Sequence, residues 1–303
     1  MSGNEAQAQA MLMEMGFEEA RVKEALAVCN NNAEQAVEYL FSGGTAAAMA
    51  ADPPPGGTAA APTYITGTSE DISAPISQYS FDQGRSACTC IAMTAAQKWL
   101  IQPDTKSLSP MWIQETLKTG VETYEKLQQT GGQSEAAAAA VEHMSAEEVL
   151  AIGQSSQFFS RLQMTPGGIR QGILSKHNSQ HEMGILAMLN ACHQEAPSDQ
   201  WLAVLITKTP ETILVCLPPK RAAAGNISNN NSQQQYIIID SHPRPGVVDS
   251  NGGAYARILQ SMADLVAHLE TILPATELGP DIPEMMAMMY NSFDLYPFVL
   301  KST

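Results

Sequence analysis

The sequence predicts an α+β protein, and three observations carry that reading. Apolar residues recur at helical spacing after Cys88, from Pro110 to Gln129, at Ser145 to Ile152 and around Gly184 to Cys192. Short runs rich in β-branched and aromatic residues follow at Trp201 to Thr207, Glu211 to Leu217, Gln235 to Asp240 and Leu295 to Lys301. Helices first and strands after point to a helical part packed on a mixed or antiparallel sheet, not to alternating βαβ units. The third observation concerns the N-terminus, where residues 4–43 read as three short helices set off from the rest by residues 44–70, a stretch of Ala, Gly, Pro and Thr. At 303 residues the chain has room for one sizeable core and a small satellite.

The first short helix ends at Met15-Gly16-Phe17, where Gly16 permits a tight turn. The second carries Val22, Ala25, Leu26 and Val28 and stops at Asn30-Asn31-Asn32, and the third carries Ala33, Ala36, Val37, Leu40 and Phe41 before Gly43-Gly44. A Met-Gly-Phe corner on so small a domain is an apolar patch of the kind that marks a contact site. Met11 to Gly43 resembles a ubiquitin-associated (UBA) domain. The resemblance implies that Met15, Gly16, Phe17 and Leu40 grip the hydrophobic face of ubiquitin. Residues 44–70, with Pro53-Pro54-Pro55-Gly56-Gly57, hold almost no large apolar side chains to offset the entropy of ordering, so they read as a flexible tether. Such a tether raises the effective concentration of bound ubiquitin near the second domain.

Residues 71–303 read as one mixed domain. Ser145-x-x-Glu148 has the form of a capping box. The Asn- and Gln-rich stretch from Arg221 to Gln234 reads as a long surface loop, and Met285-Met286-Ala287-Met288-Met289 as a core-facing helix.

The chemistry concentrates in two segments. In Gln83-Gly84-Arg85-Ser86-Ala87-Cys88-Thr89-Cys90 a Gly turn runs into a helix start. From Cys88 the helical neighbours are Ile91, Ala92, Ala95 and Trp99, an apolar stripe that would bury. From Cys90 they are Met93, Thr94, Gln97 and Lys98, which look solvent-facing. A thiol at a helix N-terminus feels the positive end of the helix dipole, which favours the nucleophilic thiolate. The second segment, Tyr236-Ile237-Ile238-Ile239-Asp240-Ser241-His242, is an apolar strand ending in Asp-x-His. Strand alternation sets Asp240 and His242 on one side, where a carboxylate can orient an imidazole. Cys88, His242 and Asp240 therefore form a candidate nucleophile, general base and orienting group.

These two segments resemble papain-fold deubiquitinases, most closely the herpesvirus large-tegument-protein type and its cellular relatives. The resemblance implies a papain-like cysteine protease fold, with Cys88 as nucleophile, His242 as general base and acid, and Asp240 as the orienting carboxylate. It also implies a glutamine as oxyanion donor. Gln83 lies five residues before Cys88, as in Josephin and papain-like families, while the tegument type takes its glutamine from further upstream, which favours Gln78. Both remain candidates.

The net charge of −15 argues against a nucleic-acid partner, since phosphate recognition needs Lys and Arg, and it suits a basic protein partner better. No stretch approaches the roughly 18 apolar residues of a membrane span. Five scattered cysteines form no disulfide framework, and without a leader-like start a cytoplasmic or nuclear address is expected. His177 and His181, four apart and upstream of Cys192 and His193, could face one metal on a helix, but Asn178-Ser179 reads as a loop. His143 and His268 read as surface or packed histidines. No metal and no cofactor is expected. The combined expectation is a deubiquitinating cysteine protease that hydrolyses the isopeptide or peptide bond at the ubiquitin C-terminus through a thioester. The rivals are a non-catalytic ubiquitin-binding adaptor with an inactive papain-like fold and a protease for another ubiquitin-like modifier.

Overall fold

A computed structural model describes residues 9, 13, 19–28, 70–130, 144–155, 157–175, 182–220, 234–248, 253–278 and 282–301. The chain divides into two compact units, Met1–Tyr64 and Ile65–Thr303. In the first unit helix α1 (Glu19–Val28) buries Val22, Ala25 and Leu26, the i, i+3, i+4 face read from the sequence. Met15, Gly16, Phe17, Leu40, the tether over 44–69, the loop over 221–233, and His143, His177 and His181 lie outside the described residues.

The second unit is built on an eight-stranded sheet: β1 (Glu70–Ser73), β2 (Leu162–Met164), β3 (Arg170–Ile173), β4 (Leu202–Lys208), β5 (Glu211–Leu217), β6 (Tyr236–Asp240), β7 (Tyr255–Leu259) and β8 (Ser292–Leu300). The strand order is β1-β7-β6-β5-β4-β8-β2, with β3 also on β8. Every pairing is antiparallel. The fold is α+β, with helices covering both faces of the sheet. Helices α2 (Cys88–Ile101), α3 (Pro110–Thr130) and α4 (Ala146–Ser155) share one core with Ala203, Leu205, Leu214, Cys216, Ile237 and Ile239. Helices α5 (Ile185–Glu195) and α6 (Met262–Ile272) share the other with Leu202, Val204, Ile206, Val215 and Ile238. The period-2 alternation of β4, β5 and β6 thus feeds two cores, which is why these strands read as continuous apolar runs.

The capping box forms: the Ser145 backbone N–H donates to Glu148 Oε2 at 2.8 Å, and the Glu148 N–H to Ser145 Oγ at 3.2 Å. Three expectations are corrected. Glu70, assigned to the tether, opens β1 and pairs with Ile258. Cys90, Met93 and Thr94 are buried rather than solvent-facing, because α2 is held between the sheet and α3 and is covered on both sides. Helix α7 (Glu284–Tyr290) is not core-facing: none of its residues is buried, and Met285 and Met289 are 77% and 70% exposed. Five consecutive apolar residues give no periodicity from which to choose a face, and here α7 is anchored from its C-terminal end. Asn291 donates to the carbonyls of Ala287 and Thr276 and accepts from the Thr276 N–H.

Candidate active site

The N-terminus of α2, the β4–β5 turn and the chain just beyond β6 meet at one end of the sheet. The approach to α2 is a folded loop of two 3-10 turns, Gln78–Ser80 and Gly84–Ser86. Gly84 is needed there: a Cβ on it would lie 1.8 Å from the Gln78 carbonyl oxygen. The first helical bond of α2 runs from the Ile91 N–H to the Ala87 carbonyl, so the N–H groups of Cys88, Thr89 and Cys90 precede the helical ladder. Cys88 opens the helix at this positive end.

Asp240 is the last residue of β6, and the contact it makes differs from the one that strand alternation predicts. The strand stops at Asp240 and the chain turns, so that Asp240 Oδ1 accepts both the backbone N–H of His242 at 2.9 Å and its ring Nδ1–H at 2.7 Å. Asp240 to His242 is thus a side-chain-closed turn, a conformation Asp favours, and the juxtaposition comes from that turn. With Nδ1 bound to the carboxylate, Nε2 is the nitrogen left for the thiol. The ring of Tyr79 stands edge-on to His242 at 6.1 Å between centroids.

The charges agree with this geometry. Burial pushes the Cys88 thiol up, but the hydrogen bond and charge of His242, with hydrogen bonds from Thr212, outweigh it and hold the thiol below its ordinary value. Burial lowers His242, while the charge and hydrogen bond of Asp240 and the hydrogen bond to Cys88 raise it to about 10. Burial raises Asp240 too, but the charge and hydrogen bonds of His242 and the charge of Arg244 keep its carboxyl below the usual range. The pair therefore favours thiolate and imidazolium. When protonated, the Cys88 thiol donates instead to the Pro210 carbonyl, 3.6 Å away in the β4–β5 turn, and Cys88 is only 3% exposed. Cys90 has no such partner, and burial with the charge of Cys88 pushes its thiol far up.

The two glutamines separate. Gln78 is buried, accepts from Ser241 Oγ at 2.6 Å and donates through Nε2 to the Arg85 carbonyl at 3.3 Å. Its backbone N–H donates to the Ser241 carbonyl at 3.1 Å, so it is tied to the residue between Asp240 and His242. Gln83 is exposed. Sequence reasoning missed Thr212, Ser241, Arg244, Glu211 and the Pro210 carbonyl. Of these only Arg244 left a signal, two residues beyond His242 in Asp-x-His-x-Arg. His268 is packed between the Tyr255 hydroxyl at 2.8 Å and Arg257 Nη1 at 2.7 Å, and burial with the Arg257 charge lowers it to about 4. The four described cysteines are free, and among the described residues no group of three or more His, Cys, Asp or Glu is arranged to hold a metal ion. No helix among them is long and apolar enough to cross a membrane.

Comparison with known proteins gives two findings. Residues 5–40 match the UBA/TS-N domain family, so the N-terminal region carries a UBA domain. The chain is also similar to a solved ubiquitin-specific protease encoded by a murine cytomegalovirus tegument protein, in complex with a ubiquitin-based suicide substrate. That similarity has a TM-score of 0.47 at 13% identity and covers 77% of this chain and 88% of that one. A search of the curated proteins finds no match.

Proposed function

We propose that this protein is a deubiquitinating cysteine protease, with Cys88 as nucleophile, His242 as general base and acid, and Asp240 as the group that orients the imidazole. The observation that carries the reading is one buried cluster: a thiol at a helix N-terminus held below its ordinary value by the His242 imidazole, whose Nδ1 is in turn held by the Asp240 carboxylate at 2.7 Å. The UBA domain supports ubiquitin as the bound modifier.

In this reading the Cys88 thiolate attacks the carbonyl carbon of the last ubiquitin residue, and the carbonyl π electrons move to oxygen. The oxyanion takes hydrogen bonds from the Cys88 backbone N–H and the Gln78 side-chain amide, which turns from the Arg85 carbonyl; each such donor is typically worth about 3 kcal/mol in the transition state. Gln78 is preferred over Gln83 because it is buried against Ser241 while Gln83 is exposed. The tetrahedral species collapses, the C–N bond breaks, and imidazolium Nε2–H protonates the departing lysine or α-amine. The neutral imidazole then takes a proton from water, which attacks the thioester and releases the ubiquitin carboxylate and the thiolate. Free thiols at the described cysteines suit a reducing cytoplasmic or nuclear compartment.

A ubiquitin carrying a C-terminal electrophile should label the full chain at Cys88. Cys88→Ala should abolish labelling and Cys90→Ala should leave it. Labelling that survives Cys88→Ala but is lost in Cys90→Ala moves the nucleophile. Absence of both labelling and ubiquitin cleavage favours the non-catalytic adaptor, and turnover of another modifier alone favours a protease for that modifier.

A further inference from the structure

The Asp240 carboxylate is fully buried, and only one of its oxygens serves His242. The other, Oδ2, accepts from Arg244 Nε at 2.7 Å. The far side of the same guanidinium forms two bonds with Glu211, Nη2 to Oε2 at 2.7 Å and Nη1 to Oε1 at 3.3 Å. Arg244 is largely buried, with its side chain 13% exposed, and it is flanked by an anion on each side. A guanidinium suits this place because it is planar and presents Nε on one edge and an Nη pair on another. A lysine ammonium could meet one carboxylate in that geometry but could not fix the plane of both.

We infer that Arg244, clamped by Glu211, is a positioning residue that sets the angle of the Asp240 carboxylate and, through it, the His242 ring. The inference rests on the protease reading for its kinetic consequence. The His242 backbone N–H and ring Nδ1–H both hold Oδ1, so the second oxygen is the remaining point at which the carboxylate plane can tilt about the terminal side-chain bond. With Oδ2 held by Arg244, the carboxylate plane is fixed and Oδ1 stays on the imidazole. The clamp itself is anchored in the sheet, since Glu211 opens β5, pairs with Lys208 across the turn, and comes directly after the Pro210 whose carbonyl faces Cys88. The Arg244 side chain hydrogen-bonds Asp240 and Glu211, not Cys88 or His242, so its route to the imidazole runs through Asp240.

The test uses the full chain and a fluorogenic ubiquitin substrate, comparing Arg244→Gln and Glu211→Gln in wild-type and Asp240→Asn backgrounds. Arg244→Gln should lower kcat about 100-fold, the scale of a misaligned reacting group, with KM within about twofold. Glu211→Gln keeps the shape and one hydrogen bond, so it should lower kcat only about fivefold, and it covers the case in which Arg244→Gln does not fold. In the Asp240→Asn background neither change should add a further loss, because the group they act through is already gone. Multiplicative losses in that background, or losses in KM rather than kcat, overturn the inference. A second readout needs no turnover. The far-downfield proton resonance of the His242 Nδ1–H should move upfield in Arg244→Gln and Glu211→Gln. A resonance unmoved in both overturns the inference. A chain that cleaves no ubiquitin substrate yet shows this shift sinks the protease reading and leaves the positioning role standing.

Discussion

Cys88 and Cys90 are separated by a single residue, both are buried, and burial penalises the thiolate of each. Only Cys88 has an imidazole against it, and that partner reverses the sign of its shift. The sequence could place Cys88 at a helix tip and Asp240 beside His242, because a Gly turn before a helix and an Asp-x-His after an apolar run are local patterns. It misjudged Cys90, whose burial comes from tertiary packing of α2 into the core, and it was silent on Glu211, which reaches Arg244 from 33 residues away. The pH behaviour is set by the pair. Activity that needs thiolate and imidazolium should rise through the depressed Cys88 value, hold, and fall as His242 loses its proton near pH 10. A kcat/KM profile that instead falls through neutrality would contradict the ion pair. In stability terms His242 is raised above its ordinary 6.5, so its contribution is full below about that pH and is lost as pH climbs through about 10. Asp240→Asn removes the anion that fixes the Nδ1–H tautomer and should cost on the order of 1000-fold or more in kcat, read with the same ubiquitin substrate.

At the scale of elements, the strands that were legible are those buried on both faces. β4, β5, β6 and the C-terminal part of β8 stood out by apolar density, whereas β1 (Glu-Asp-Ile-Ser), β2 (Leu-Gln-Met) and β3 (Arg-Gln-Gly-Ile) are short and half polar. They are strands because the backbones of β7 and β8 offer them partners, a tertiary effect that local propensity does not encode. β7 was hidden by Arg257, and α6 was not foreseen. The helix that carries Cys88 depends on one close approach: a Cβ at Gly120 of α3 would lie 2.5 Å from Ile91 Cα. That neighbour is helix backbone, so Gly120→Ala should push α2 and α3 apart and cost about 1–3 kcal/mol, the range of an overpacked core. Chemical denaturation measures the loss. An unchanged midpoint would mean that the two helices separate at no cost.

The whole molecule is two units, and among the described residues those of both apolar cores of the second lie within Ile65–Thr303. Ile65–Thr303 should therefore fold by itself, with cooperative unfolding and wild-type kcat on a single ubiquitin fused to a fluorophore. On dilute polyubiquitin chains the same truncation should lower the rate about tenfold, the loss of a tethered second grip. Equal rates of full chain and truncation at every chain concentration would mean that the UBA domain does not deliver substrate. The position of the Pro210 carbonyl has a consequence of its own. At rest the sulfur has almost no open approach, with Cys88 3% exposed and its thiol against the Pro210 carbonyl, so peroxide and stray small electrophiles find little to attack. In the proposed protease, substrate would have to uncover this sulfur before any bond is cut, so that discrimination would begin in that opening.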